Sequence, residues 1–330
     1  IIQALIHSRY DPVLAGNGAS LELLRKEFPN LNYIQLPGCT IRYSKWSIGL
    51  FFQLLFRIPC LLANLRKERK IIRQLVEKQE IDGVISDNRF GVYNLRVPCA
   101  YITHQVEVRS GIWTFLTTWL HRRAIRNFDE CWIPDRSENG LSGRLGHVDS
   151  PIQNQEYIGI LSRFKPEQKK SKYDILILLS GPEPQRSLLE KKVLDALKDS
   201  ELRIALVRGT QIKARLREHP KNLKQFNLLL SSDLQSVIAE SDLIIARSGY
   251  STIMDLAAMN KKAFFIPTPG QPEQEYLATH LDFMKIAPYS KQSDFNQSVL
   301  QKIEDYSGFC DGISPLNLKL FELFEGKRKG

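Results

Sequence analysis

The 330-residue chain reads as an α/β protein of two domains, each a parallel sheet flanked by helices. Three observations predict this. Short apolar runs of strand length recur along the chain, and each ends in small or polar residues before a stretch of helical period. The rhythm restarts after a charged, Pro-marked segment, Lys165–Lys172. No repeat at solenoid spacing competes with that alternation.

The elements follow in order. Ile1, Ile2, Leu5 and Ile6 sit at helical spacing, and Pro12–Gly16 reads as a strand with a glycine exit. A domain of this type opens on a strand and a Gly-rich turn, so a first strand and its turn are expected ahead of Ile1. After Gly16-Asn17-Gly18, Ser20–Phe28 is an amphipathic helix with Ser20 as its cap, and Tyr33–Pro37 is a strand. Ile48–Leu65 is strongly apolar, but Gln53, Arg57, Pro59 and Asn64 interrupt it. It falls short of the roughly 20 uninterrupted apolar residues that span a bilayer.

Basic residues crowd this helix: Arg42, Lys45, Arg57, Arg66, Lys67, Arg69, Lys70, Arg73 and Lys78 stand against Glu68, Glu77 and Glu80. An apolar helix with a basic flank suits an anionic bilayer interface, and it equally suits a core helix followed by a solvated turn. Gly111–Asn127 (GIWTFLTTWLHRRAIRN) repeats the theme, so 41–78 and 111–127 are the two candidate membrane-facing segments.

Gly83–Ser86, Ala100–Thr103 and Glu130–Ile133 read as buried strands ending in Asp87-Asn88-Arg89, His104-Gln105 and Asp135-Arg136. Polar residues just past parallel strand ends face the ligand crevice of such sheets. His104 is the first candidate for a general base, with Asp87 as the alternative. His104 as a local strand cap, and Ser86–Arg89 as an internal ion pair, are the competing readings. Tyr157-Ile158-Gly159 closes the first sheet.

The second domain opens with the strand Asp174–Leu179, a turn containing Gly181, and Arg186 at a helix start, either a phosphate partner or a surface charge. Arg203–Val207 and Phe226–Leu230 read as strands. The segment 241–275 then gives a complete βαβ unit: strand Leu243–Ala246, turn Ser248–Thr252, a helix carrying Ile253, Leu256 and Ala257, and strand Ala263–Ile266. Such a turn places unpaired N–H groups and a helix dipole at the sheet edge, where an anion is favoured; Asp255, one turn in, can accept from ribose hydroxyls. An ordinary βα turn with a first-turn acid reads the same. The domains are expected at 1–163 and 164–314, with the amphipathic tail at 315–330 returning to the first.

The sequence R-S-G-Y-S-T-I-M-D-L-A-A, then F-I-P-T-P and E-Q-E-Y, resembles the donor-binding signature of glycosyltransferase family 28. The resemblance implies two Rossmann-like domains facing each other across a cleft (GT-B-like), and transfer of a sugar from a UDP-linked donor to an unknown, lipid-linked or membrane-proximal acceptor. It implies Arg247, Ser248, Gly249, Ser251 and Thr252 at the diphosphate, with Gly181 and Arg186 on the neighbouring turn. Asp255, replacing the family's Glu, falls to the ribose, and Glu273, Gln274 and Glu275 fall near the sugar. Glu275 stands where a second Gln is usual. No metal or cofactor is expected, since main-chain donors and a helix dipole can neutralise the leaving diphosphate.

Composition bounds the remainder. A net charge of +10 calls for an anionic partner, and no nucleic-acid-binding motif is present. Five cysteines without Cys-x-x-Cys, and six histidines without His-x-x-x-His, point to a reducing compartment and no zinc framework. The expectation is a cytoplasmic protein, peripheral on the inner membrane face, of undetermined oligomeric state. A nucleotide-sugar hydrolase or epimerase with the same donor site, and a non-catalytic nucleotide- or membrane-binding protein, are the alternative functions.

Overall fold

The structure, a computed structural model, describes residues 1–38, 47–108, 114–152, 154–210, 220–310 and 316–326, with the backbone alone at 19 and 47–58. The chain divides into two compact units. Ile1–Ser137, Arg144–Gly159 and Pro315–Gly330 form the first; Glu138–Gly143 and Ile160–Ser314 form the second.

The first unit begins with helix α1 (Ile2–His7), then the parallel pair β1 (Leu14–Gly16) and β2 (Tyr33–Gln35) around α2 (Gly18–Glu27). Helix α3 (Ser47–Glu77) carries Pro59 inside it and leads to a four-stranded parallel sheet. That sheet runs β3 (Val84–Asp87), β4 (Cys99–Ile102), β5 (Glu130–Ile133), β6 (Gln155–Tyr157), with α4 (Thr114–Ile125) between β4 and β5. All four residues of β4 and three of β5 are buried, which is why these strands appear in the sequence as unbroken apolar runs rather than alternating ones.

Two sequence expectations change here. The cap of α2 is Asn17, not Ser20, and Asn17 makes no side-chain cap bond. Its Oδ1 instead accepts from Arg89 Nη1 at 3.0 Å. Arg89 also donates to Glu68 Oε1 from Nε (3.0 Å) and Nη2 (2.5 Å), and to the Pro37 carbonyl (2.6 Å). The expected ion pair is therefore long-range: one guanidinium ties the β1 exit, the β2 exit, α3 and the β3 exit together. Glu68 is almost fully buried, so a charge at mid-helix is admitted because it is paired.

The tail joins this unit as a 3-10 segment, Leu318–Phe324. Phe321 is buried against the Tyr10 and Trp132 rings (5.9 and 6.3 Å), and the Tyr10 hydroxyl donates to the Phe321 carbonyl at 3.0 Å. Phe324 lies edge-on to the same two rings.

The second unit holds β7 (Tyr173–Leu178), α5 (Gln185–Ala196), β8 (Ile204–Val207), β9 (Leu223–Phe226), α6 (Ser231–Ala239), β10 (Ser241–Ala246), α7 (Tyr250–Ala258), β11 (Lys262–Phe265) and α8 (Pro272–Phe283). The sheet is parallel throughout, in the order β11-β10-β7-β8-β9. The chain winds outward from β7 through β8 to β9, then returns to the other side of β7 with β10. This is the doubly wound Rossmann order, with its switch point between β7 and β10. Strand β9 lies at 223–226 rather than at Phe226–Leu230, pairing Ile204↔Leu223 through Val207↔Phe226. Lys224 and Gln225 mask this edge strand, while the more apolar Leu228 and Leu230 are exposed and Leu230 caps α6.

The tail is part of the first unit's core, so Phe321→Ala removes a buried ring from between Tyr10 and Trp132. Urea titration followed by Trp fluorescence is expected to show a loss of about 3 kcal/mol or more.

Candidate functional site

The exits of β7 and β10 meet at the switch point, where open α/β sheets bind ligands. Arg247, the first residue past β10, is the most buried charge there, with 1% of its surface exposed. Its Nη1 donates to the Ile266 and Pro267 carbonyls (3.0 and 2.9 Å), and Nη2 to the Gln185 carbonyl and Gln292 Oε1 (3.0 and 2.7 Å). Arg247 thus does not reach out to a ligand, as the resemblance implied. It ties β10, the β11 exit and the start of α5 from beneath. Burial draws its pKa down to about 10, which leaves it charged at neutral pH. Among the described residues no carboxylate pairs with it, so its charge stands uncompensated under the turn.

Above it, the turn is bare. Ser248 is fully buried and turns its hydroxyl to the Gln274 carbonyl (2.8 Å), and Gly249 is the N-cap of α7. The first intrahelical bond is Ile253 N–H to Gly249 O (3.0 Å), and no side chain caps the end, so the helix does not supply acceptors for the N–H groups of Ser251 and Thr252. Gly249 has φ −74°, which any residue adopts, and a Cβ there would meet only Gln274 Nε2 at 3.9 Å. Neither backbone nor packing requires glycine. What a side chain would block is close approach from outside. Gly181, past β7, differs: its φ of +91° requires glycine, and nothing lies within 4 Å of a Cβ there.

The other expected donor residues fall into two groups. Arg186 bonds the Gly209 carbonyl (2.9 Å) and Glu183 (2.5 Å), fixing the β7 and β8 exits to each other. Burial raises the Glu183 pKa, but the Arg186 and Ser187 bonds overrule it and hold the carboxyl below its ordinary value. Gln274 Oε1 accepts from Thr268 N–H (2.9 Å) and Glu275 Oε1 from Gly270 N–H (3.0 Å), so both shape the loop before α8. Glu273 lies in the same first turn. Asp255 is half-buried on α7, and its Oδ1 accepts from the Ser162 hydroxyl at 2.6 Å. Burial raises its pKa, against the opposing pull of Ser162 and Arg163.

In the first unit the two candidate bases come together. Asp87 ends β3, His104 follows β4, and Asp87 is paired in register with Ile102. Desolvation pushes the Asp87 carboxyl up, opposed by the nearby His104. Sequence reasoning missed a third member, His121 on α4. Its ring lies edge-on to Phe90 (5.1 Å) and Tyr101 (6.2 Å), and Nε2 is buried without a hydrogen-bond partner. Burial drives its pKa down to about 4, with His104 and Arg122 acting the same way against a main-chain bond to Gln105. Its only signal in the sequence is a histidine on the aromatic helix that directly follows the histidine-bearing β4 exit. Of the basic flank, Arg42 and Lys45 lie outside the described residues, as do the side chain of Arg57 and residues 111–113. The described residues hold no cluster of three metal-ligating side chains, and no described helix is long and apolar enough to cross a membrane.

The doubly wound second unit with its bare switch-point turn defines the C-terminal half of a GT-B-type protein, and solved structures agree on the fold. The kitacinnamycin glycosyltransferase aligns at TM-score 0.64 over 99% of this chain and 88% of its own, at 13% identity. Spinosyn rhamnosyltransferase SpnG with thymidine diphosphate gives 0.59 over 93% and 87%, at 12%; Acinetobacter baumannii MurG gives 0.52 over 92% and 83%, at 16%. Residues 183–307 match the glycosyltransferase family 28 C-terminal domain.

Among curated relatives, the UDP-N-acetylglucosamine–N-acetylmuramyl-(pentapeptide) pyrophosphoryl-undecaprenol N-acetylglucosamine transferase of Methylobacterium radiotolerans is 40% identical over 65 residues. That match covers 19% of this chain and 18% of the relative. The enzyme of the same name from Sulfurihydrogenibium is 23% identical over 201 residues, 59% and 53% of the two chains. An uncharacterized glycosyltransferase of Methanosarcina mazei is 23% identical over 218 residues, 63% and 57%. The chain thus spans less than two thirds of the curated relatives it matches.

His121 gives the first unit a defined acid sensitivity. A neutral histidine whose folded pKa lies below its unfolded value of 6.5 contributes stability that is present above pH 6.5 and lost as pH falls toward about 4. His121→Gln is expected to remove that part of the slope, on the order of 3 kcal/mol at most, in denaturant midpoints measured from pH 7 to 4.

Proposed function

We propose that the protein transfers a sugar from a nucleoside diphosphate sugar, UDP-linked by its family match, to an acceptor presented by the first unit. One observation carries the reading: Gly249 is glycine where the protein itself does not need it, at an uncapped helix end above a buried, unpaired guanidinium. A diphosphate needs close backbone approach and fixed positive charge, and this turn offers both. Ser251 and Thr252 would meet the diphosphate through main-chain N–H groups and hydroxyls, and Asp255 would receive the ribose. Glu273, in the first turn of α8, would lie toward the sugar.

Transfer needs a group to take the acceptor hydroxyl's proton as the sugar carbon is attacked and the diphosphate leaves. His104 fills that role, with Asp87 beside it to stabilise the imidazolium that forms. The donor site needs no metal in this reading, because the helix end and Arg247 supply the positive charge. Thermal unfolding against UDP, UDP-sugars and other nucleoside diphosphates tests the donor site. A saturating ligand, at about 100 times its Kd, stabilises by about 2.7 kcal/mol, and the shift is expected to vanish in Asp255→Ala. With the stabilising donor identified, His104→Ala is expected to lower turnover by about 10²–10⁴-fold while leaving donor affinity intact. No shift with any nucleotide would sink the reading.

The acceptor side favours a membrane surface. On α4, Phe115 is 85% exposed, Leu116, Trp119 and Leu120 are exposed beside it, and Arg122, Arg123 and Arg126 follow. Leu61 and Leu62 of α3 are exposed as well. Aromatic and aliphatic side chains with adjacent cations match an anionic bilayer interface. Phe115→Ser with Trp119→Ser is expected to abolish co-sedimentation with vesicles containing anionic phospholipid, and wild type is expected to pass over purely zwitterionic vesicles.

A further inference from the structure

The loop that carries the proposed base is closed from both sides. Upstream, Thr103 N–H donates to the Trp132 carbonyl (3.1 Å), and Thr103 Oγ1 accepts from Gln105 N–H (3.1 Å), so the chain turns tightly at His104. Downstream, one carbonyl takes two bonds: Leu145 O accepts from Val106 N–H (2.6 Å) and from Glu107 N–H (3.0 Å). His104 therefore stands between a fixed strand end and a single oxygen. Its position depends on where Leu145 is held.

A hydrogen-bonded pair that the mechanism does not use lies beside it, in the same unit. Asp135, past the β5 exit, is fully buried; its Oδ1 accepts from Arg136 N–H (2.8 Å) and its Oδ2 faces His147 Nε2 at 3.3 Å. A carboxylate has only lone pairs to offer, so Nε2 carries the proton and the imidazole donates. The His147 ring stacks on Tyr157 of β6, with centroids 4.7 Å apart and planes at 17°. The Tyr157 hydroxyl donates to the Gly146 carbonyl (3.2 Å) and accepts from Gln155 Nε2 (3.0 Å). Segment 145–147 is thus anchored at the β5 and β6 exits and bonded, through Leu145, to the loop at the β4 exit. Apolar side chains would fill the same space without burying a carboxylate, which is costly. They would not supply direction: the stack restrains the imidazole plane, and the hydrogen bond fixes its rotation within that plane.

Resting on His104 as the base proposed above, we infer that Asp135 and His147 are positioning residues for His104, acting through the Leu145 carbonyl. The pair holds that carbonyl, the carbonyl holds Val106 and Glu107, and His104 keeps the geometry that proton transfer requires.

Amide substitutions at His147 test this, because they separate reach from polarity. Glutamine places its Nε2 near the position of the His147 Nε2 and can donate to Asp135, whereas asparagine is too short. Amide hydrogen exchange on the ligand-free full chain, read by NMR, follows Val106 and Glu107 against Ile102 of β4 as internal reference. His147→Asn is expected to speed exchange at both amides by about tenfold or more, and His147→Gln to keep the wild-type rates. A second arm follows hydrolysis of the stabilising nucleotide sugar to nucleoside diphosphate and free sugar, with water standing in for the acceptor. There His147→Asn is expected to lower kcat about tenfold or more with donor Kd unchanged, and His147→Gln to restore most of it. Unfolding midpoints report whether the variants fold. If His147→Asn does not, Tyr157→Phe, which removes only the hydroxyl bond to Gly146, is expected to speed the same two amides. Unchanged exchange at Val106 and Glu107 in the folded variant overturns the inference. So does a glutamine variant as fast as the asparagine one, or wild-type kcat in a variant whose loop has loosened. Wild-type hydrolysis by His104→Ala is a separate failure: the assignment of the base falls, and the positioning role with it. The exchange arm needs neither donor nor acceptor, so it decides whether the pair holds the loop even where no nucleotide binds.

Discussion

A buried guanidinium organises the second unit. Arg247 follows β10 directly and reaches four acceptors, three of them main-chain carbonyls at the β11 exit and the start of α5. Those carbonyls come from two segments that flank Arg247 in the sequence, one before β8 and one after α7. An aliphatic side chain here would leave the Ile266, Pro267 and Gln185 oxygens buried without donors. A lysine has a single ammonium and cannot reproduce the planar fork that spans two elements. The cost of burying the charge is visible in its depressed pKa, and the absence of a partner carboxylate makes the cost larger. The arrangement makes sense for a site whose counter-charge arrives with the ligand. A cation under a helix N-terminus raises the positive potential where anions dock, and it does so without an exposed side chain that could move.

The same logic explains why so many polar side chains near the turn face inward. Ser248, Arg186, Gln274 and Glu275 each bond to local backbone or to a neighbouring side chain. They set the shape of three loops at the sheet edge. In the proposed reading, recognition of the anion would then fall to main-chain donors whose positions are fixed by β10 and α7. Backbone groups carry no rotamer entropy, so a site built from them loses little on binding. Asp255 is the exception, a charged side chain kept close to the crevice and steadied by Ser162.

Most of the architecture was legible from the sequence, because parallel strands buried on both faces leave unbroken apolar runs: Ile244-Ile245-Ala246, Ala263–Phe265 and Ala205–Val207 are strands within the runs that predict them. Legibility failed at edges and caps. Strand β9 is hidden because an edge strand presents Lys224 and Gln225 to solvent, while the apolar Leu228 and Leu230 next to it are not sheet residues. The cap of α2 falls at Asn17 rather than Ser20, and Arg89, 72 residues away, takes the Asn17 side chain that would otherwise cap it. The motif pointed to the turn, Asp255 and the loop before α8 as the candidate donor site. It could not separate Arg247 or Arg186 from ligand-facing groups, since an arginine at a strand exit has the same one-dimensional signature whether it points up or down. His121 was missed for a related reason: its significance lies in packing against Phe90 and Tyr101, which helical spacing alone does not reveal.

The first unit shows a different balance between stability and chemistry. Arg89 and the buried Glu68 form a pair that holds four segments in register. Asp87, two residues earlier on the same strand exit, sits where desolvation raises its proton affinity, and His121 is kept neutral with an unpartnered nitrogen. Selection for stability alone would replace the second pair of groups with apolar ones, as burial of an unsatisfied imidazole has no structural return. Beside His104 they form a cluster of perturbed titratable groups at a strand edge, the kind of cluster that marks a candidate functional site.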